Sequence, residues 1–132
     1  MLRILQCALV VAVGLIGTSF ALSDDQQMAL DIHNSMRASR GLEPLSWDDG
    51  LAWAAQQWAD QLREIGQLEH SSSGENLYMQ GWTSDDAMAR ASQVWVDEIG
   101  SYHDEYIPDG DFQSYGHYSK SPANLQSLNA SC

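Results

Sequence analysis

Two histidines and two glutamates carry most of the chemistry this sequence can offer. His70 and Glu75 stand in "LEHSSSGENLY", Glu98 closes "ASQVWVDE", and His117 lies in "SYGHYS". Imidazole nitrogens and carboxylate oxygens are ligands for zinc and similar divalent ions, and the same groups run general acid–base work. Their spacing is not that of HExxH or another compact ligand motif, so only the fold could bring them together. Ser71, Ser72, Ser73 and Ser119 adjoin the histidines and would suit a serine-type hydrolase. There is no G-x-S-x-G elbow, and a triad is defined by geometry, so that reading stays open.

Glu98 is the most informative of the four. It falls seven residues after Ala91, four after Val94 and three after Trp95, so it points from the apolar face of its helix. A carboxylate there is costly unless it is paired, hydrogen-bonded or lining a cleft. It reads either as a site residue or as a helix-end glutamate bonding a neighbouring loop. His33 reads as a structural hydrogen-bonder on the first helix, and His103 as solvated in an acidic loop.

Three helical patterns must position these groups. The first runs from about Asp24 to Arg40, with Met28, Ile32 and Met36 on one face and Gly41 as its stop. The second begins after Ser46 or Asp48, carries Leu51, Ala55, Trp58, Leu62 and Ile65 at helical spacing, and ends at Gly66. The third opens with "TSDD", where Thr83 or Ser84 can cap, and its stripe is Ala87, Ala91, Val94 and Trp95. "ENLYMQ" is the best short strand, and a second strand is expected near Gly116. The five tryptophans read first as core.

The ends of the chain bound its setting. "MLRILQCALVVAVGLIGTSFA" has Arg3, an apolar run and small residues at Ser19 and Ala21, which predicts a secretory signal peptide over 1–21. The protein is then secreted, with no stable membrane span after cleavage. Six basic residues face 18 acidic ones, a formal net charge of −12. Such a field repels phosphate backbones and argues against nucleic acid. With Cys7 in the leader, Cys132 is left without a second cysteine, which predicts a disulfide-linked dimer.

Four blocks then line up in order: "IHNSMRASRGLEPLSWDDGLAWAAQQWADQL", "LEHSSSGENLY", "ASQVWVDEIGSY" and "FQSYGHYS". Together they resemble the CAP superfamily, the SCP-domain proteins that include cysteine-rich secretory proteins, venom antigen 5 and plant pathogenesis-related proteins. The resemblance implies an α+β fold, a CAP-type α-β-α sandwich with a cleft lined by two histidines and two glutamates. Those fall on His70, Glu75, Glu98 and His117, with His70 and His117 as metal ligands and Glu75 and Glu98 lining the cleft. It further implies a possible divalent cation such as zinc, a binding role in host interaction, defence or virulence rather than turnover, and sterol or lipid as an alternative extracellular ligand. After Ser119 the chain departs from the family pattern. It divides into a leader over 1–21, a partial domain over 26–119 and a divergent tail over 120–132, so the sandwich is expected to be incomplete at its C-terminal side and mostly helical.

Overall fold

The computed structural model describes residues 21–72 and 74–120. The leader up to residue 20, Ser73, and the tail with Cys132 lie outside the described residues. Four α-helices follow one another: α1 (Asp24–Ser39), α2 (Asp49–Ile65), α3 (Ala87–Asp97) and α4 (Phe112–Lys120), with a 3-10 turn at Glu98–Ser101 between α3 and α4. The described residues are mostly helical and contain no strand.

Local chemistry sets the helix ends. Ser23 and Gln26 form a reciprocal capping box at the start of α1, which satisfies two amides that a helix start leaves without partners. Asp48 caps α2 by accepting from the Leu51 amide at 2.8 Å. Gly66 ends that helix with φ +74°, a left-handed conformation that costs glycine little, and its N–H closes on the Leu62 carbonyl.

The start of α3 differs from expectation. Neither Thr83 nor Ser84 caps it; the helix begins at Ala87, and its N-cap residue Asp86 makes no side-chain cap bond. Asp25 of α1 performs the task instead, accepting from the amides of Met88 at 3.0 Å and Ala89 at 2.8 Å. A carboxylate suits this place because free amides and the helix dipole both favour negative charge. The bond also fixes how α1 lies on α3, the main helix pair of the structure.

That pairing decides which faces are buried. On α1 the buried residues are Ala29 and His33, one helical turn apart and in line with Asp25. Met28, expected inside, is half exposed. On α3 the buried set is Ala89, Ala91, Ser92, Trp95 and Val96, while Val94 faces solvent. Of the expected stripe Ala91 and Trp95 are buried, and burial extends to Ala89, Ser92 and Val96 rather than to Val94.

A connecting segment completes this half. Asn34 pairs with the Leu45 backbone through both of its amide atoms, at 3.0 and 2.7 Å. Leu45 and Ala29 form a small core with Leu30, Trp47 and Met88 packed against it. The strand expected near Gly116 is helix α4, whose Tyr115, Gly116 and Tyr118 are buried. Tyr102, Phe112, Tyr115 and Tyr118 form an aromatic cluster there, with ring centroids 5.2 to 5.7 Å apart. Aromatic packing at (i, i+3) spacing rewards a helix more than a strand at this place.

The second helix stands apart. Among the described residues α2 packs against no other helix, and Ala59 is its one buried residue. The segment after it folds back alongside, held by the Trp58 indole donating to the Glu69 carbonyl at 2.9 Å. Among the described residues "ENLYMQ" has no ladder partner. Not all tryptophans are core: Trp95 is buried, whereas Trp53 and Trp82 are well exposed.

Candidate functional site

The end of α3 carries the site. Glu98, its side chain largely buried, accepts from the amides of His117 (2.9 Å) and Tyr118 (3.2 Å) through one oxygen. Its other oxygen lies 2.7 Å from His117 Nδ1. A single carboxylate therefore ties α4 to the 3-10 turn and orients an imidazole. Of the two readings of Glu98, the bonding of a neighbouring segment is realised, and one of its partners is the site histidine. A carboxylate bonded to one ring nitrogen is the arrangement commonly found behind metal-bound histidines.

The second pair lies in the loop after α2. His70 Nδ1 stands 3.6 Å from Glu75 Oε2, an ion-pair distance longer than a hydrogen bond, and the His70 side chain is half exposed. Glu75 is held more firmly. It accepts from the Ser71 amide at 2.9 Å, from the Ser71 hydroxyl, and from the Ser72 hydroxyl at 3.2 Å. Burial works against its charge, but the Ser71 and Ser72 donors outweigh it and hold the carboxyl below its usual range. Gly74, at φ +90°, makes the turn that delivers Glu75 to these donors.

Two bonds join the pairs. Asn76 Nδ2 donates to the His117 carbonyl at 2.9 Å. Lys120 Nζ donates to the Glu75 carbonyl at 2.9 Å. Neither residue was singled out in the sequence. The signal for Asn76 was its place beside Glu75; for Lys120 it was one helical turn from His117.

Behind His117 lies a column of rings. Trp95 stacks on it with centroids 6.3 Å apart and a 23° interplanar angle, and the His33 ring lies 6.5 Å from that of Trp95, tilted by 38°. His33 is 3 % exposed, and neither ring nitrogen has a partner. It is thus not the hydrogen-bonder expected. Burial first, and then the charge of Arg37, lower its pKa to about 4, so it is neutral at ordinary pH.

The donor set, two imidazoles and two carboxylates, is chemically suited to zinc. Its arrangement is two His–Glu pairs, and among the described residues no three His, Cys, Asp or Glu side chains stand close enough to form one coordination sphere. The serines are turned to other tasks. Ser71 and Ser72 serve Glu75, and the Ser119 hydroxyl donates to the Gly116 carbonyl at 2.8 Å. None of those bonds goes to a histidine.

Comparison with known proteins agrees with this frame. Pathogenesis-related protein 1C of Nicotiana tabacum is 45% identical over 74 residues, which are 54% of this chain and 42% of that protein. A pathogenesis-related protein 1 of Arabidopsis thaliana is 39% identical over 83 residues, 59% of this chain and 50% of that protein. Secreted protein RBT4 of Candida albicans is 45% identical over 53 residues, 39% of this chain and 15% of that protein. The matches thus span about half or less of each relative's length. No solved structure matches the chain closely enough to report. The model of the cysteine-rich secretory protein family, CAP, matches residues 30–128, which takes in both His–Glu pairs and runs past Ser119. The chain belongs to the CAP, or cysteine-rich secretory protein, family.

Proposed function

We propose that this protein is a secreted, defence-type member of its family that acts by binding rather than turnover, and that His70 and His117 hold a divalent cation such as zinc. The observation that carries the reading is the three-bond grip of Glu98 on the His117 ring and on the amides of His117 and Tyr118. A carboxylate held behind an imidazole raises its basicity and fixes its ring, which is what a metal-ligating histidine needs. His70 would supply the second protein nitrogen and water the remaining positions, with Glu75 and Glu98 accepting from that water. The ion would supply a fixed positive charge for an extracellular ligand. The secretory and defence parts of the reading are supported by the names of the relatives, pathogenesis-related proteins and a secreted protein.

Zinc titration by calorimetry tests the site. His70→Ala and His117→Ala should each remove most of the affinity. Glu98→Gln should cost less, on the order of 10- to 100-fold, the usual loss for a group acting behind a ligand. Affinity should also fall on acidification, because protons compete for the imidazole nitrogens. A His117→Ala variant that binds zinc like the wild type would refute the site.

A further inference from the structure

Between the 3-10 turn and α4 the chain reads "YHDEYIPDGD", residues 102–111. One tyrosine, Tyr106, stands there among four carboxylates, Asp104, Glu105, Asp109 and Asp111, and no lysine or arginine occurs from 101 to 119. The loop is anchored on both sides of it. Arg40 of α1 pairs with Asp104 at 3.0 Å, and the Tyr102 hydroxyl donates to the Glu105 carbonyl at 3.0 Å. On the far side the Tyr115 hydroxyl donates to the Asp109 carbonyl, and the Ser114 hydroxyl to the Asp111 carboxylate at 2.6 Å. Between these anchors Tyr106 is 83 % exposed. The other tyrosines are withdrawn. Tyr115 and Tyr118 are buried, and Tyr78 and Tyr102 are half-buried. The hydroxyls of Tyr78, Tyr102 and Tyr115 are hydrogen-bonded. The protein therefore offers one accessible phenol, and offers it on an acidic loop.

A phenolic oxygen becomes a nucleophile when a base takes its proton, so an exposed one can accept a transferred group. An enzyme that holds a polyanionic nucleotide donor is cationic around its active site, and carboxylates beside the acceptor speed the encounter of the two. An accessible tyrosine with acidic residues on both sides and no cation beside it in sequence is what tyrosine sulfation, a reaction of the secretory pathway, requires of its acceptor. The choice of a sulfuryl over a phosphoryl group rests on the secreted reading given above. We propose that Tyr106 is a sulfation site whose donor is a nucleotide phosphosulfate anhydride. The phenolic oxygen forms a bond to sulfur as the bridging sulfur–oxygen bond of the anhydride breaks. The electron pair of that bond stays on the departing nucleotide phosphate, the phenolic proton passes to a base of the transferase, and nothing is oxidised or reduced. The product carries a sulfate monoester on the loop, an acceptor for guanidinium or ammonium groups of an extracellular partner.

The test incubates the folded whole chain with a tyrosylprotein sulfotransferase and its sulfur-labelled donor. Label should enter Tyr106 alone, located by peptide mass spectrometry, and Tyr106→Phe, which removes only an exposed hydroxyl, should take up none. Glu105→Gln/Asp109→Asn leaves an oxygen to accept from the His103 amide and removes two charges. Its labelling rate should fall at least about tenfold, the low end of electrostatic steering. No label on the wild type, equal label on Tyr106→Phe, or an unchanged rate in the double variant would overturn the proposal. Protein recovered from the medium of secreting cells gives a second arm. A group on Tyr106 that an arylsulfatase removes and a tyrosine phosphatase leaves in place supports sulfation. A group that the phosphatase removes overturns it in favour of phosphorylation, and an unmodified Tyr106 overturns it outright. A chain that stays inside the cell would refute the secreted reading instead, and the reaction with purified transferase would still decide this proposal.

Discussion

Helices α2 and α3 carry apolar stripes of similar kind and meet opposite surroundings. On α3 the buried set includes Trp95 and Val96, covered by α1 on one side and α4 on the other. On α2 only Ala59 is buried, while Leu51 and Ile65 remain more than two-fifths exposed and Trp58 is half-buried. The difference lies in what faces each stripe. α3 meets the first turn of α1, whose Asp25 satisfies its free amides, so docking removes apolar surface and completes hydrogen bonds together. Among the described residues α2 meets a cavity and an extended segment without ladder bonds. A helical period identifies the apolar face of a helix, and coverage of that face depends on elements distant in sequence.

The largest test of this contrast is a pair of truncations. Trp95→Ala should cost about 3–5 kcal/mol, the usual range for a buried aromatic, which is a large part of the stability of a small domain. Trp58→Ala on α2 should cost about 1 kcal/mol, a typical value for a partly exposed position. Urea unfolding of both variants gives the comparison, and equal losses would break it.

Acid should act on the packed half through His33. In the unfolded chain this imidazole titrates at its ordinary 6.5, whereas in the fold its pKa is about 4. Between these values the unfolded state binds more protons, so the contribution is fully present above about pH 6.5 and is lost as pH falls toward 4. At about 1.4 kcal/mol per pH unit, the loss is at most roughly 3 kcal/mol. The neighbouring Arg37 charge adds to the cost of protonating it. Urea midpoints at pH 7 and pH 4.5 should therefore separate more for wild type than for His33→Leu. Parallel midpoints would show that His33 is not held neutral.

Smaller effects sharpen the picture further. Asp25→Ala should cost about 1–2 kcal/mol, the range for a lost cap whose amides stay partly buried. Asp25→Asn should recover part of it, since an amide oxygen can still accept. On the open side, Trp53→Gln should change stability by no more than about 0.5 kcal/mol, because that ring is already 68 % exposed.

How far the sequence could be read follows the same division. The bounds of α1 and α2 were legible because Gly41, Asp48 and Gly66 are local signals acting on neighbouring residues. The first turn of α3 was not, since its cap comes from Asp25, more than sixty residues earlier. α4 was misread as a strand because "DFQSYGHYS" gives few aliphatic positions from which to judge a period, and its aromatic packing requires Tyr102. At the site, the position of Glu98 relative to Ala91 and Trp95 was enough to mark an inward carboxylate. Its three bonds to residues 117 and 118 lie across a loop whose path no local pattern fixes. Asn76 and Lys120 escaped notice for that reason, each acting on a backbone carbonyl more than forty residues away.

Native-state hydrogen exchange addresses the contrast between the two halves most directly, resolving amides of α2 and α3 in one sample as urea is raised below the unfolding transition. Amides of α1 and α3 should open together, with the free energy and urea dependence of global unfolding. Those of α2 should exchange at least about tenfold faster, through a local opening with little urea dependence. If α2 amides are as slow as those of α3 and follow the same urea dependence, the two helices belong to one cooperative unit and the contrast in packing between them is contradicted.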